Sequence, residues 1–224
     1  MELINNLCDR LVVPNRCRDL AVPVARYHTH IHRALELRQE THLQVLDGTD
    51  AVMLSAETAV GKYPDRVIAA MDRICLGVEK QRQVTHSDHR INTRFEHIDE
   101  AVAMASMYTA NHLGVKAIAA LTESGSTALW MSRISSGIPI YALTSHVKTR
   151  RTVTLFRGVY PVSFETASND HAIVNKEAID ELVRRGAVRD GDLVIITKGD
   201  LMGKLGGTNA MKVVRVGAME EPEA

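Results

Sequence analysis

The run Thr122-Glu123-Ser124-Gly125-Ser126-Thr127 gathers hydroxyls, a glycine and the first amides of a new helix directly behind an apolar strand. Unsatisfied amides at a helix start favour an anion, so the types and the position fit a phosphate cradle. The place agrees as well, because open α/β sheets bind ligands outside the carboxyl ends of their strands. The same residues also fit a simple N-cap turn, with Ser124 or Ser126 satisfying the helix amides. A second group is Lys198-Gly199-Asp200, continuing to Gly206-Gly207-Thr208-Asn209. If the strand before Lys198 lies beside the strand before Thr122, both loops face one crevice, and Lys198 and Lys204 bring positive charge to it. Otherwise the glycines mark only a flexible connection. A third group is Ser55, Glu57 and Thr58, behind the apolar run Ala51-Val52-Met53-Leu54. A strand that ends in Ser, Glu and Thr is how a (β/α) barrel builds the mouth of its active site. Glu57 reads equally as a structural carboxylate holding a neighbouring strand.

Metal chemistry has less behind it. Cys8 and Cys17 are too far apart for a zinc knuckle, and His28, His30 and His32 alternate with no second pair following.

The elements that must hold these groups begin at Asp47. Strand Ala51–Leu54 precedes a helix over 65–80, with Val67, Ile68, Met71, Ile74, Cys75 and Val78 as its apolar stripe. Residues 81–94 are polar and read as a linker at a domain boundary. An α/β alternation follows: helix 96–113, strand 116–121, helix 127–135, strand 139–143, helix 147–156, strand 160–163, helix 170–185, strand 192–197 and a last strand 211–216. In the first of these helices Ile98, Ala101, Val102, Ala105 and Tyr108 share helical spacing, and Gly114 suits its end. Short apolar strands between helices predict a mostly parallel sheet covered on both faces. Residues 1–46 differ: they contain no Lys, show no period over 1–30, and allow one helix over 31–46. Residues 218–224 read as an acidic tail.

Composition narrows the classes. Lys+Arg and Asp+Glu are equal at 27 each, so no polyanion-binding footprint stands out. Aromatics make up 4%, against base-stacking surfaces and hence against nucleic acid as a partner. Three sparse cysteines fit a reducing, cytoplasmic compartment. No membrane span or signal peptide is expected.

The runs DGTDAVMLSAETA, AVAMASMYTANHL, TESGSTAL, SRISSGIPIYAL, LFRGVYPV and GDLVIITKGD…GGTNAMKVVRV resemble pyruvate kinase, in that family's order. The bacterial form regulated by sugar monophosphates or AMP is the most similar. The resemblance implies that residues 47–80 are the last strand and helix of a (β/α)8 barrel. It implies that residues 95–217 are the C-terminal α/β effector domain. It further implies an effector phosphate held by Thr122–Thr127, closure of the Lys198–Gly207 loop over it, and Ser55 and Glu57 at the barrel mouth. For the family it brings glycolytic phosphoryl transfer from phosphoenolpyruvate to ADP, ATP binding, allosteric control, Mg²⁺ and K⁺ as cofactors, and a homotetramer.

The family's phosphoenolpyruvate- and metal-binding residues on earlier barrel strands have no counterpart in this sequence. The chain is therefore expected to be a C-terminal fragment, inactive alone and binding neither Mg²⁺ nor K⁺. Ser126 stands where many relatives carry Arg, and Val60 where several carry Lys. Three expectations remain open: a piece of the kinase, a free-standing sugar-phosphate-binding module, or the product of a disrupted gene whose first 46 residues are read out of frame.

Overall fold

The computed structural model describes residues 50–80, 94–134, 136–168, 170–200 and 206–218. The expectations for residues 1–49, for 81–93 of the linker, for Lys204 and for the tail beyond 218 lie outside them. The chain divides into two compact units, Met1–Gln81 and Arg82–Ala224.

In the first unit, α1 (Ala56–Ala59) is a single turn and α2 (Pro64–Glu79) a regular helix. Pro64 sits at the first position of α2, where its missing N–H costs nothing, and Asp65 complements the helix dipole. Gly61 lets the chain turn between them, because a Cβ there would run into the Glu57 carbonyl. The predicted strand at Ala51–Leu54 is not formed among the described residues. A strand exists through its ladder, and no described segment pairs with this one; Met53 is 83% exposed. Ile68, expected on the buried stripe of α2, is also exposed, whereas Val78 is buried.

The second unit is the α/β alternation predicted. Its elements are α3 (Ile98–Leu113), β1 (Ala117–Leu121), α4 (Ser126–Ser132), β2 (Ile140–Thr144), α5 (Val147–Val153), β3 (Val159–Ser163), α6 (His171–Arg184), β4 (Leu193–Gly199) and β5 (Thr208–Arg215). Among the described residues the strands form one sheet in the order β3-β2-β1-β4-β5. The first four are parallel and β5 is antiparallel to β4. Most bounds differ from expectation by one or two residues. Three bounds depart by three residues: α4 ends early at Ser132, α5 ends early at Val153, and β5 starts early at Thr208.

β1 reads Ala-Ile-Ala-Ala-Leu because it is central and buried on both faces. Ile118 and Ala120 face a core with Met107 of α3, Met131 of α4 and Val153 of α5. Ala117, Ala119 and Leu121 face the other core, with Val174, Ile179 and Leu182 of α6. The α3 stripe predicted from Ile98 and Tyr108 is the wrong face: both are exposed, and Ala103, Ser106, Met107 and Ala110 pack inward. This helix carries apolar residues nearly all round, so periodicity did not select a face. Gly114 ends α3 in the left-handed region (φ 69°), as its sequence position predicted.

The sheet's parallel edge is blunted. The N–H of Ile140 reaches the Gly158 carbonyl and that of Phe164 reaches Thr144. The alternation of a parallel ladder therefore turns the nitrogen of residue 161 outward, and residue 161 is Pro, with no donor to offer another strand. No helix among the described residues is long and apolar enough to cross a membrane.

Candidate functional site

In strand order β1 is where the chain changes direction: β2 and β3 are laid down on one side of it and β4 on the other. The crevice between the carboxyl ends of β1 and β4 is thus the switch point where open α/β sheets hold ligands. Ala117–Ala120 pair with Val194–Thr197, so the loop after Leu121 and the loop after Gly199 do face one crevice.

The first loop is a tight turn. The N–H of Gly125 donates to the Thr122 hydroxyl (2.8 Å). Gly125 has φ 86°, and a Cβ on it would stand 2.8 Å from Cγ1 of Val153, so both backbone and space require glycine. The first α4 amide to find a carbonyl is that of Leu129, on Gly125 (2.9 Å); the amides of Thr127 and Ala128 have no such partner among the described residues. The Ser126 amide donates to the Ser124 hydroxyl (3.3 Å), so part of the N-cap role read from the sequence is present. Ser124 Oγ donates to Ser126 Oγ (3.2 Å), and Ser126 Oγ donates to Oδ2 of Asp99 (3.1 Å). Thr127 is buried and donates to Thr208 Oγ1 (2.7 Å). Glu123 accepts at its carbonyl from Thr149 Oγ1 (2.6 Å), and its carboxylate meets Nε2 of His146 at 2.6 Å.

The second loop is held at its neck. Gly199 and Gly207 lie so close that a Cβ on Gly199 would strike the Gly207 carbonyl. Asp200 and Asn209 exchange two hydrogen bonds, at 3.2 and 2.7 Å. This neck is why β5 begins at Thr208. Lys198, buried at the end of β4, donates to the His171 carbonyl (3.1 Å). Burial lowers the pKa of its ammonium from the ordinary 10.5, helped by Lys212 and opposed by Asp170 and Asp200.

Between the loops lies a cavity of about 500 Å³. Thr122, Glu123, Ser124 and Ser126 line it from one side, and Lys198, Gly199, Gly206 and Gly207 from the other. Gly125 and Thr127 do not line it: the first is pressed against Val153 and the second is turned to Thr208. Sequence reasoning missed the third wall, where Thr144 ends β2, Ser145 follows it, and Glu165 and Thr166 follow β3. The available signal was the same one that marked Thr122, hydroxyls immediately after a short apolar strand. It also missed Asp99, which lies behind Ser126.

Ser55, Glu57 and Thr58 belong to the other unit. They form the turn of α1, where the Thr58 amide and hydroxyl both donate to the Ser55 carbonyl (3.1 Å each). The Thr58 hydroxyl is thus spent on the backbone. Among the described residues no three His, Cys, Asp or Glu side chains converge as metal ligands. Partial burial, with Glu79 and Asp72 nearby, raises the pKa of the Cys75 thiol, the opposite of an activated thiolate.

A mostly parallel sheet, helices on both faces and a polar cavity at the switch point define an α/β domain of the open-sheet, ligand-binding class. Residues 100–214 match the family model described as "Pyruvate kinase, alpha/beta domain". The chain is 51% identical over 173 residues to pyruvate kinase of Buchnera aphidicola subsp. Baizongia pistaciae, covering 77% of this chain and 36% of that protein. Identity, length and coverage are the same for pyruvate kinase II of Salmonella typhimurium. For pyruvate kinase of Haemophilus influenzae, identity is 50% over 156 residues, 69% of this chain and 32% of that one. The chain belongs to the pyruvate kinase family, and it spans about a third of the length of these relatives, 36% in the first two.

Proposed function

We propose that residues 94–218 form the effector-binding module of a pyruvate kinase, taking a sugar phosphate or nucleotide monophosphate in the cavity between β1 and β4. One observation carries the reading: two sequence-distant loops, one rich in hydroxyls and helix amides and one bearing Lys198, wall a single cavity at the switch point. The backbone amides and the Thr122 hydroxyl of the Thr122–Ser126 loop supply donors and the Lys198 ammonium supplies charge for a phosphate. Thr144, Thr166 and Glu165 supply partners for the hydroxyls of a sugar. Phosphoryl transfer from phosphoenolpyruvate to ADP, with Mg²⁺, K⁺ and ATP, is the work of the whole enzyme of this family, in a cytoplasmic homotetramer. Such transfer needs groups that position substrates and neutralise charge. The part of it assigned to this chain is regulatory, through the cavity between the two loops.

Calorimetry with ribose 5-phosphate, fructose 1,6-bisphosphate and AMP tests the binding. At least one of them is expected to give a saturable heat that Lys198→Met weakens; three flat titrations would remove the reading. A coupled assay with phosphoenolpyruvate, ADP, Mg²⁺ and K⁺ is expected to show only background turnover.

A further inference from the structure

Asp99 is 8% exposed, sits in the first turn of α3, and has no Lys, Arg or His paired with it among the described residues. Its Oδ1 accepts the Glu100 amide (3.0 Å) and its Oδ2 accepts from Ser126 Oγ (3.1 Å). A carboxylate can only accept, so Ser126 must spend its single proton on Asp99. With that proton committed, Ser126 Oγ can only accept from Ser124 Oγ at 3.2 Å, and Ser124 spends its proton there. The chain Ser124 to Ser126 to Asp99 therefore runs one way, out of the cavity and toward a buried negative charge. With both protons committed, neither hydroxyl has one left for an anionic ligand, which needs donors.

Resting on the effector-pocket reading, we infer that Asp99 is a specificity-determining residue that holds this serine pair, and with it the pocket, against anions. An anion then binds without the protons of Ser124 and Ser126, and does so in the field of the Asp99 carboxylate. Replacing Asp99 by Asn removes the charge. It also lets the side-chain amide donate to Ser126, which returns the serine protons to the cavity.

The test is titration of the full chain, wild type, Asp99→Asn and Ser126→Ala, with ribose 5-phosphate, alongside thermal melts. Asp99→Asn is expected to bind about tenfold tighter, the scale of one unit charge removed at short range in a partly screened site. A residue that merely braced α3 against the loop would weaken binding when changed, so the sign separates the two roles. Ser126→Ala is expected to bind no more weakly than wild type, because its hydroxyl gives the ligand no proton, and it decides the matter if Asp99→Asn does not fold. Binding by Asp99→Asn at or below the wild-type affinity in a natively melting protein, or weaker binding by Ser126→Ala, would overturn the inference and leave the pocket reading intact. Absence of binding by all three proteins would overturn both.

Discussion

Gly125→Ala should destabilise the α/β unit by about 3 kcal/mol, and the sum has two separable parts. Gly125 has φ 86°, and placing an L-residue in the left-handed region costs roughly 1–2 kcal/mol. The new methyl would also sit 2.8 Å from Val153 Cγ1, with Thr149 Cγ2 at 3.5 Å and Phe156 at 3.9 Å. Val153 is fully buried in the core beneath β2 and β3, so it cannot move aside freely, and overpacking of this kind costs about 1–3 kcal/mol. With a urea slope of ~2 kcal/mol/M, the midpoint should fall by about 1.5 M. Gly158 supplies the control: it has φ 68° and nothing within 4 Å of an added Cβ, so Gly158→Ala should show the backbone part alone, about 1 kcal/mol. In Gly125→Ala/Val153→Ala the clash is relieved, and the double-mutant cycle should show a favourable coupling of about 1 kcal/mol or more. A Gly125→Ala cost no larger than that of Gly158→Ala, or a coupling near zero, would refute the claim that the Thr122–Thr127 turn is locked against α5.

Other predictions concern the links around the cavity. Thr208→Val leaves the buried Thr127 hydroxyl without its acceptor and should cost about 1–2 kcal/mol in urea unfolding, with part of the loss recovered in Thr127→Val/Thr208→Val. Lys198 has its pKa lowered on folding, so between that value and 10.5 the unfolded chain binds more protons. Stability should therefore rise with pH across that alkaline window and not in Lys198→Met, as melts at stepped pH would show. Glu181 is partly buried, which alone would raise its pKa, but Arg184 and Arg185 outweigh this and hold it below 4.5. Its contribution is present above the ordinary value and lost as pH falls through the lowered one. Glu181→Gln should cost less than about 1 kcal/mol at neutral pH, because Arg184 is largely exposed, and nothing in strong acid.

What the sequence carried was local and repeated. Ala-Ile-Ala-Ala-Leu, a short apolar run between helical patterns, fits a strand buried on both faces, and the hydroxyl- and glycine-rich Thr-Glu-Ser-Gly-Ser-Thr behind it fits a turn into a helix. That was enough to place one wall of the cavity and, with Lys198, to name the other. Asp99 was not legible: within Glu96–Glu100 it looks like an ordinary acid at a helix start, and its bond to Ser126 spans 27 residues. Thr208 was noticed only as part of a glycine-rich run, because its partner Thr127 lies 81 residues away. The face of α3 was misread because apolar residues lie nearly all round that helix, so its period does not single out the buried side. The strand at Ala51–Leu54 was read from composition, but a strand needs a neighbour, and none among the described residues supplies one.

The central claim is that a phosphate lies between the two loops, and amide chemical shifts measured during a titration with ribose 5-phosphate test it most directly. The account predicts that the largest shifts fall on Ser124–Ala128 and on Lys198, Gly199, Gly206 and Gly207, saturating together, with those of α6 beyond its first turn unmoved. Saturating shifts that centre elsewhere in the chain while both loops stay still would contradict it.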